Sequence, residues 1–408
     1  MTRNKKGIVM KLSRPEPPRR LIINGRFLSQ SITGVQRYAN EMVRSMDQAL
    51  SEWSGPTGAM DHIDIVLAVP PNATPFDGVL QRIRTMRVGQ RGGQTWEQAE
   101  LCHFAWNDVL VSLANSGPIF HPRQIVCIHD AAVHAKPENY SRTFRTWYRI
   151  LHRALTRRVH RLATVSSFSA SELATYYGVD AKTVAILPNS AEHIRSVVSQ
   201  PGILDRHGLK PGNYVFAVGG YSRSKNVAVL EQAMSFLPEP RPQLVVAGRR
   251  NGRVFSHASG PQGLSDNDLV DVGEVSDGEL KALYENAMCF VFPSLYEGFG
   301  IPPLEAMNCG CPVIVSRAGA LPEVCSSAAL YCHPTDPQDI ARAIAALMTD
   351  GALRAALAET GMARAKGFQW MQSATRLLDM AAVALDIRTP LPAHDPEEEP
   401  GVPTPSKC

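Results

Sequence analysis

Short apolar runs alternate with amphipathic stretches along most of this chain, and the alternation occurs twice. In the first half, runs at 21–24, 63–69, 124–128, 162–165 and 183–187 are separated by helical patterns at 35–50, 94–101, 139–159 and 168–177. In the second half, runs at 214–218, 243–247, 269–272, 289–292, 313–315 and 329–331 alternate with helical patterns at 225–236, 277–287, 302–308, 337–349 and 351–365. Strands that alternate with helices build βαβ units and parallel sheets. At 408 residues the chain is long enough for two such domains. The pattern therefore predicts an α/β protein with an N-terminal domain over 21–200 and a C-terminal domain over 201–367. Pro188-Asn189-Ser190 closes the first and Gln200-Pro201-Gly202 reads as the linker. A ligand of two such sheets belongs in the cleft outside the carboxyl ends of their strands.

The ends have a different character. Residues 1–20 hold seven Lys or Arg, three Pro and one acid, the composition of a solvated arm. Residues 389–408 hold six Pro and four acids, the composition of a disordered tail. Over the whole chain 42 basic residues face 38 acidic ones, and a net charge of +4 argues against a dedicated nucleic-acid binder. The eight cysteines form no C-x-x-C pair, so no structural zinc site is expected and the chain reads as reduced and cytosolic. No apolar run approaches the roughly 20 residues that span a bilayer, and none follows the basic N-terminus as a signal peptide requires.

The stretch 290–307, FVFPSLYEGFGIPPLEAM, carries the most chemistry. An apolar strand ends at Phe292, a loop carries Glu297 and Gly298-Phe299-Gly300, and a helix starts at Pro302 or Pro303, where a missing N–H costs nothing. Free amides and the helix dipole suit a diphosphate there. Glu297 and Glu305, eight positions apart, suit sugar hydroxyls if they face one pocket. The bland reading of the same residues is a strand–loop–helix connection with two solvated glutamates.

This stretch resembles the retaining glycosyltransferases of family 4, the group 1 family, whose signature of two glutamates separated by seven residues is met by Glu297 and Glu305. Further matching segments are Thr33-Gly-Val-Gln-Arg-Tyr38, Ile128-His-Asp130, Thr164-Val-Ser-Ser-Phe-Ser169, Leu187-Pro-Asn189, Val218-Gly-Gly with Lys225-Asn226, Gly273-Glu-Val-Ser-Asp277 with Leu283-Tyr284, and Cys309-Gly-Cys-Pro-Val-Ile. They follow the family's order over about residues 21–380. The resemblance implies the GT-B architecture, two Rossmann-like domains with parallel sheets facing each other across a cleft. It also implies a helix at 368–388 that crosses back to the first domain.

By the same resemblance, Glu305 holds the ribose of a nucleotide-sugar donor, and Glu297 with Phe299, Gly300 and Ile301 holds the transferred sugar. The Leu304 amide meets a phosphate oxygen, and the base lies near Gly273 and Val275. Lys225 stands where the family's diphosphate-binding lysine does; the family's arginine is displaced here, with Ser224 in its place and Arg223 before it. The implied catalytic set is His129, Glu297 and Lys225, with His129 against the donor sugar; the bland reading of His129 is a structural histidine, and Asp130 either orients it or caps the next element. Gly34, Val35, Gln36 and Arg37 form the loop that faces acceptor and phosphates, although Thr33 also reads as an ordinary helix cap. Ser166 and Asn189 fall at strand ends on the same side. No metal or cofactor is expected: the family needs none, and cationic side chains must then stabilise the departing diphosphate.

Residues 142–161 carry seven arginines and no acid, interleaved with Phe144, Trp147, Tyr148, Leu151 and Leu155. A basic amphipathic helix of this kind suits an anionic membrane surface through Arg142, Arg145, Arg149 and Arg153, or is an outer face whose apolar side packs on the domain. The expectation is a cytoplasmic enzyme, peripheral on the inner face of the membrane. It would move a hexose of mannose, rhamnose or glucose type to a saccharide or lipid-linked acceptor in bacterial surface polysaccharide or lipopolysaccharide synthesis. The alternative is a non-catalytic nucleotide- or lipid-binding component of an assembly complex. A dinucleotide oxidoreductase would need Gly-x-Gly-x-x-Gly after a first strand, which is missing.

Overall fold

The structure, a computed structural model, describes residues 20–52, 62–219, 224–248 and 268–386. The expected acidic tail and residues 1–19 of the basic arm lie outside these, as does Arg223. Arg20, read as the end of the arm, opens the first strand instead, paired to Asp108 at 2.7 Å and lying over the Phe104 ring.

The N-terminal lobe is a seven-stranded parallel sheet of β1 (Arg20–Asn24), β2 (Asp64–Val69), β3 (Ile83–Arg87), β4 (Val109–Ser112), β5 (Gln124–Cys127), β6 (Arg161–Thr164) and β7 (Ala185–Ile186), in the order β3-β2-β1-β4-β5-β6-β7. The C-terminal lobe is a six-stranded parallel sheet of β8 (Tyr214–Val218), β9 (Gln243–Ala247), β10 (Leu269–Gly273), β11 (Cys289–Phe292), β12 (Val313–Ser316) and β13 (Leu330–Cys332), in the order β10-β9-β8-β11-β12-β13. The central strands are near-continuous apolar runs because helices cover both faces. Leu21, Ile22 and Ile23 are fully buried, and each burial is worth about 1.5–3 kcal/mol.

In both sheets the order reverses between the first and fourth strands of the lobe, β1 beside β4 and β8 beside β11. Loops leaving neighbouring strands in opposite directions open a crevice at that point. Two strands escape the sequence pattern. β3 is an edge strand with only Ile83 buried, and β4 is a fully buried four-residue run that the pattern also leaves out.

The lobes are joined at two places. The segment after β7 crosses over, and the expected linker runs directly into the helix Gly202–His207. The helix Trp370–Ala384 then returns and packs along Gly34–Glu52, with Trp370 edge-on to Tyr38 at 5.7 Å. The two crossings lie side by side: Ser190 Oγ donates to the Phe368 carbonyl, Ser373 Oγ to the Pro188 carbonyl, and the Trp370 amide to Glu192. Among the described residues no helix is long and apolar enough to cross a membrane.

Candidate active site

Lys225 and Glu297 meet at the switch point of the second sheet. Lys225 follows β8 and Glu297 follows β11, the strand beside it. Gly219 has φ +117°, and a Cβ there would come 2.6 Å from Lys225 Cγ. Only glycine lets the lysine stem lie across the strand end. Lys225 Nζ sits 4.7 Å from the Phe292 ring centre and donates to Glu297 Oε1 at 2.7 Å; Ser294 Oγ donates to the same oxygen at 2.5 Å. A cation and a carboxylate are thus held together beside the start of the helix Ile301–Asn308. Its first turn carries Pro302 and Pro303, which leaves the Ile301 amide free to face a ligand and makes Leu304 the next N–H along. Leu304 itself is fully buried.

The loop after Glu297 closes against the other lobe. The Gly298 carbonyl accepts from Ser166 Oγ at 2.6 Å and Ser169 Oγ at 3.0 Å. Glu323 in turn accepts from the amides of Ser167 and Phe168, capping the helix Ser167–Tyr177 from across the cleft. A Cβ on Gly298 would meet the His129 carbonyl at 2.8 Å, so the His129-Asp130 turn lies directly under the loop. Phe299 is buried edge-on to Phe368, and a Cβ on Gly34 would come 3.8 Å from Ile301.

His129 is 5% exposed, and its Nε2 donates to the Leu113 carbonyl at 2.8 Å. Burial pushes its pKa down to about 4, opposed by that hydrogen bond. The ring is therefore neutral at pH 7, with Nδ1 left as an acceptor. Asp130 does not orient it: its Oδ1 accepts from the Ala132 amide and so shapes the next turn. Burial raises the Asp130 pKa, Glu297 and Glu172 add to the rise, and the Ala132 bond and Lys225 oppose it. Tyr140 feels both Asp130 and Glu297, and Tyr296 reaches Glu172 at 3.4 Å. Tyr140 and Glu172 are not marked by the sequence, and Tyr296 stands in the 290–307 stretch without an assigned role.

Glu305 is 5% exposed, with both oxygens engaged: Oε1 accepts from His193 Nε2 at 2.9 Å and Oε2 from Tyr284 Oη at 3.2 Å. Arg37 points the same way and feels Glu305, but its guanidinium is held by both oxygens of Asp277 at 3.0 and 2.8 Å. Gln36 turns back to cap its own helix through Thr33, and Val35 follows Gly34 in the first turn. Gly273 ends β10 and Val275 packs, partly buried, against the hydrophobic core. Asn189 is buried near the crossover. Sequence reasoning missed His193, Tyr284 and Asp277 as partners, although Asp277 and Tyr284 both lie in a segment it did single out.

The helix Arg142–Arg158 buries Leu151 and Leu155 and exposes Arg142 and Arg153. Phe144 and Ile150 also face outward, 41% and 56% exposed, while Arg145 is half-buried. Arg149 turns inward, where its Nε donates to the Val133 carbonyl. Among the described residues no cluster of His, Cys, Asp or Glu is arranged to hold a metal ion.

Two doubly wound lobes thus meet at a site with a lysine, a helix start and two carboxylates near one switch point. The architecture is GT-B. At TM-score 0.65 the structure resembles sucrose-phosphate synthase from Thermosynechococcus elongatus, with 17% identity over 90% of this chain and 98% of that one. The family model for glycosyl transferases group 1 matches residues 203–364. The chain is 31% identical to the O-antigen chain mannosyltransferase B of Escherichia coli, over 64% of its own length and 72% of that enzyme. It is 30% identical to the O-antigen chain mannosyltransferase RfbU of Salmonella typhimurium, over 54% of its length and 60% of that protein. The chain belongs to the group 1 glycosyltransferases.

Proposed function

We propose that this enzyme transfers mannose from GDP-mannose, with retention at the anomeric carbon, to a saccharide or lipid-linked acceptor during assembly of bacterial surface polysaccharide or lipopolysaccharide. The observation that carries this reading is the 31% identity to an O-antigen mannosyltransferase over 72% of its length, with both glutamates and the lysine of the family pattern in place.

The donor lies along the second lobe. Glu305 takes the ribose hydroxyls, the helix start and Lys225 take the diphosphate, and Glu297 with the Gly300 and Ile301 amides takes the sugar. As the bond from the anomeric carbon to phosphate breaks, negative charge builds on the leaving oxygen. Lys225 is then worth more than in the ground state, which is the condition for catalysis. The incoming acceptor oxygen bonds to the same face, and its proton passes to the departing phosphate. His129 acts as an acceptor toward a sugar hydroxyl, since a ring this hard to protonate does not serve as the acid. The transfer needs no metal in this scheme.

The chain works at an anionic membrane surface through the outward arginines and through Phe144 and Ile150, which add apolar contact to charge. A donor panel tests the reading: thermal shift with GDP-mannose, UDP-glucose, UDP-N-acetylglucosamine and dTDP-rhamnose, with and without EDTA. GDP-mannose at 100 times its Kd stabilises the fold by about 2.7 kcal/mol, insensitively to EDTA, and the shift is lost in Glu305→Ala. A shift with another donor alone, or one abolished by EDTA, contradicts the proposal.

A further inference from the structure

Glu305 is built to hold hydroxyls only if its carboxylate is fixed in plane. An ionised carboxylate offers about four acceptor positions. His193 occupies one on Oε1 and Tyr284 one on Oε2, which leaves a position on each oxygen, the arrangement that two adjacent hydroxyls require.

His193 is the less expected of the two. Tyr284 stands in the same lobe as Glu305, packed among Phe216 and Phe290. His193 instead opens the short helix His193–Ser196 on the crossover between lobes, and its side chain is 7% exposed. Among the described residues its buried Nδ1 has no hydrogen-bond partner, and the Glu305 carboxylate is the ring's one polar contact. A histidine kept for packing alone would not leave one nitrogen orphaned and aim the other at a site carboxylate. The geometry also ties the carboxylate to the segment on which the lobes join.

We infer that His193 is a positioning residue that fixes Glu305 for a vicinal diol, and so sets the preference of the site for ribonucleotides over 2′-deoxyribonucleotides. The inference rests on the reading of Glu305 as the ribose ligand. A fixed carboxylate loses a bond when the 2′-hydroxyl is absent, whereas a carboxylate free to rotate regains one from its surroundings.

The test is calorimetric binding of GDP against 2′-deoxy-GDP and of UDP against 2′-deoxy-UDP, compared as a ratio within each variant so that general destabilisation cancels. The nucleotide pair that binds the wild type is discriminated at least about tenfold, because a site built for a hydroxyl penalises its loss. His193→Phe, which fills the space without a donor, brings the ratio near one. His193→Gln, which keeps a donor, restores most of it. If Glu305→Ala loses the discrimination and His193→Phe keeps it, the inference is overturned and the ribose reading stands. If the wild type or Glu305→Ala contradicts that reading, by no discrimination in the first or full discrimination in the second, both fall.

Discussion

Gly298 has no room for a side chain, because a Cβ would press into the His129 carbonyl at 2.8 Å and against Asp130 Cβ at 3.0 Å. Gly298→Ala therefore holds the donor loop off the first lobe. We expect kcat to fall at least about tenfold for a stability loss within the roughly 1–3 kcal/mol typical of overpacking; unchanged kcat would show that the contact is incidental. Lys225→Met removes the cation proposed to meet the leaving diphosphate, and kcat should drop by about 10²–10³, as for loss of one preorganised charge-stabilising group. A fall confined to KM would assign Lys225 to ground-state binding alone. His129 and His152 share a different signature. Burial holds both near pKa 4, whereas the unfolded chain titrates near 6.5, so the unfolded state binds more protons between those values. Stability is then lost as pH falls from about 6.5 toward 4, by on the order of 3 kcal/mol for each ring. The melting temperature should decline over that window, and His152→Gln should flatten the decline; a Tm independent of pH refutes it. At this scale the sequence marks Glu297 and Glu305, eight positions apart, and Lys225, 72 positions from Glu297, by its place after β8 in a family-like segment. It is silent on His193 and Glu323, whose partners stand 112 and about 156 positions away and leave no periodic trace.

The elements with a strong period were legible to within a few residues. The helix Arg142–Arg158 was visible from its arginines and from apolar residues at helical spacing, and β11 with Ile301–Asn308 from an apolar run, glycines and prolines. β3 stayed hidden because Arg84, Thr85 and Arg87 give an edge strand no apolar alternation. The arginine helix also shows where a pattern misleads: spacing places Arg149 with the others, but packing turns it to the Val133 carbonyl. Charge reversal therefore splits by position. Arg142→Glu with Arg145→Glu and Arg153→Glu should weaken binding to anionic vesicles by about 100-fold or more, at about 1 kcal/mol per basic residue. Arg149→Glu should lower the melting temperature more than any of these. Equal vesicle binding by wild type and triple variant would remove the membrane proposal, which a sedimentation assay reads directly.

The whole molecule is a pair of sheets whose switch points face one cleft, and the contacts across that cleft decide what the site is. The alternating pattern predicted both sheets and their parallel sense, since only helices on both faces allow such apolar strands. How the lobes meet was not legible, because Glu323, Asp277 and the Gly298 carbonyl bind partners on the other lobe. Glu323→Ala removes a cap worth about 1 kcal/mol from the helix Ser167–Tyr177. The lobes should stand farther apart on average, with a larger radius of gyration in small-angle scattering; an unchanged radius would mean the clasp does not hold them. The Arg37–Asp277 pair is only partly buried, and its double-mutant coupling should stay below about 1 kcal/mol. The central claim is that this cleft transfers a hexose with retention, and the product itself tests it most directly. With GDP-α-mannose carrying carbon-13 at the anomeric position and a lipid-linked or saccharide acceptor, the carbon–hydrogen coupling at that carbon reports the configuration. The account predicts an α-linked product that disappears in Lys225→Met, and a β-linked product would contradict it.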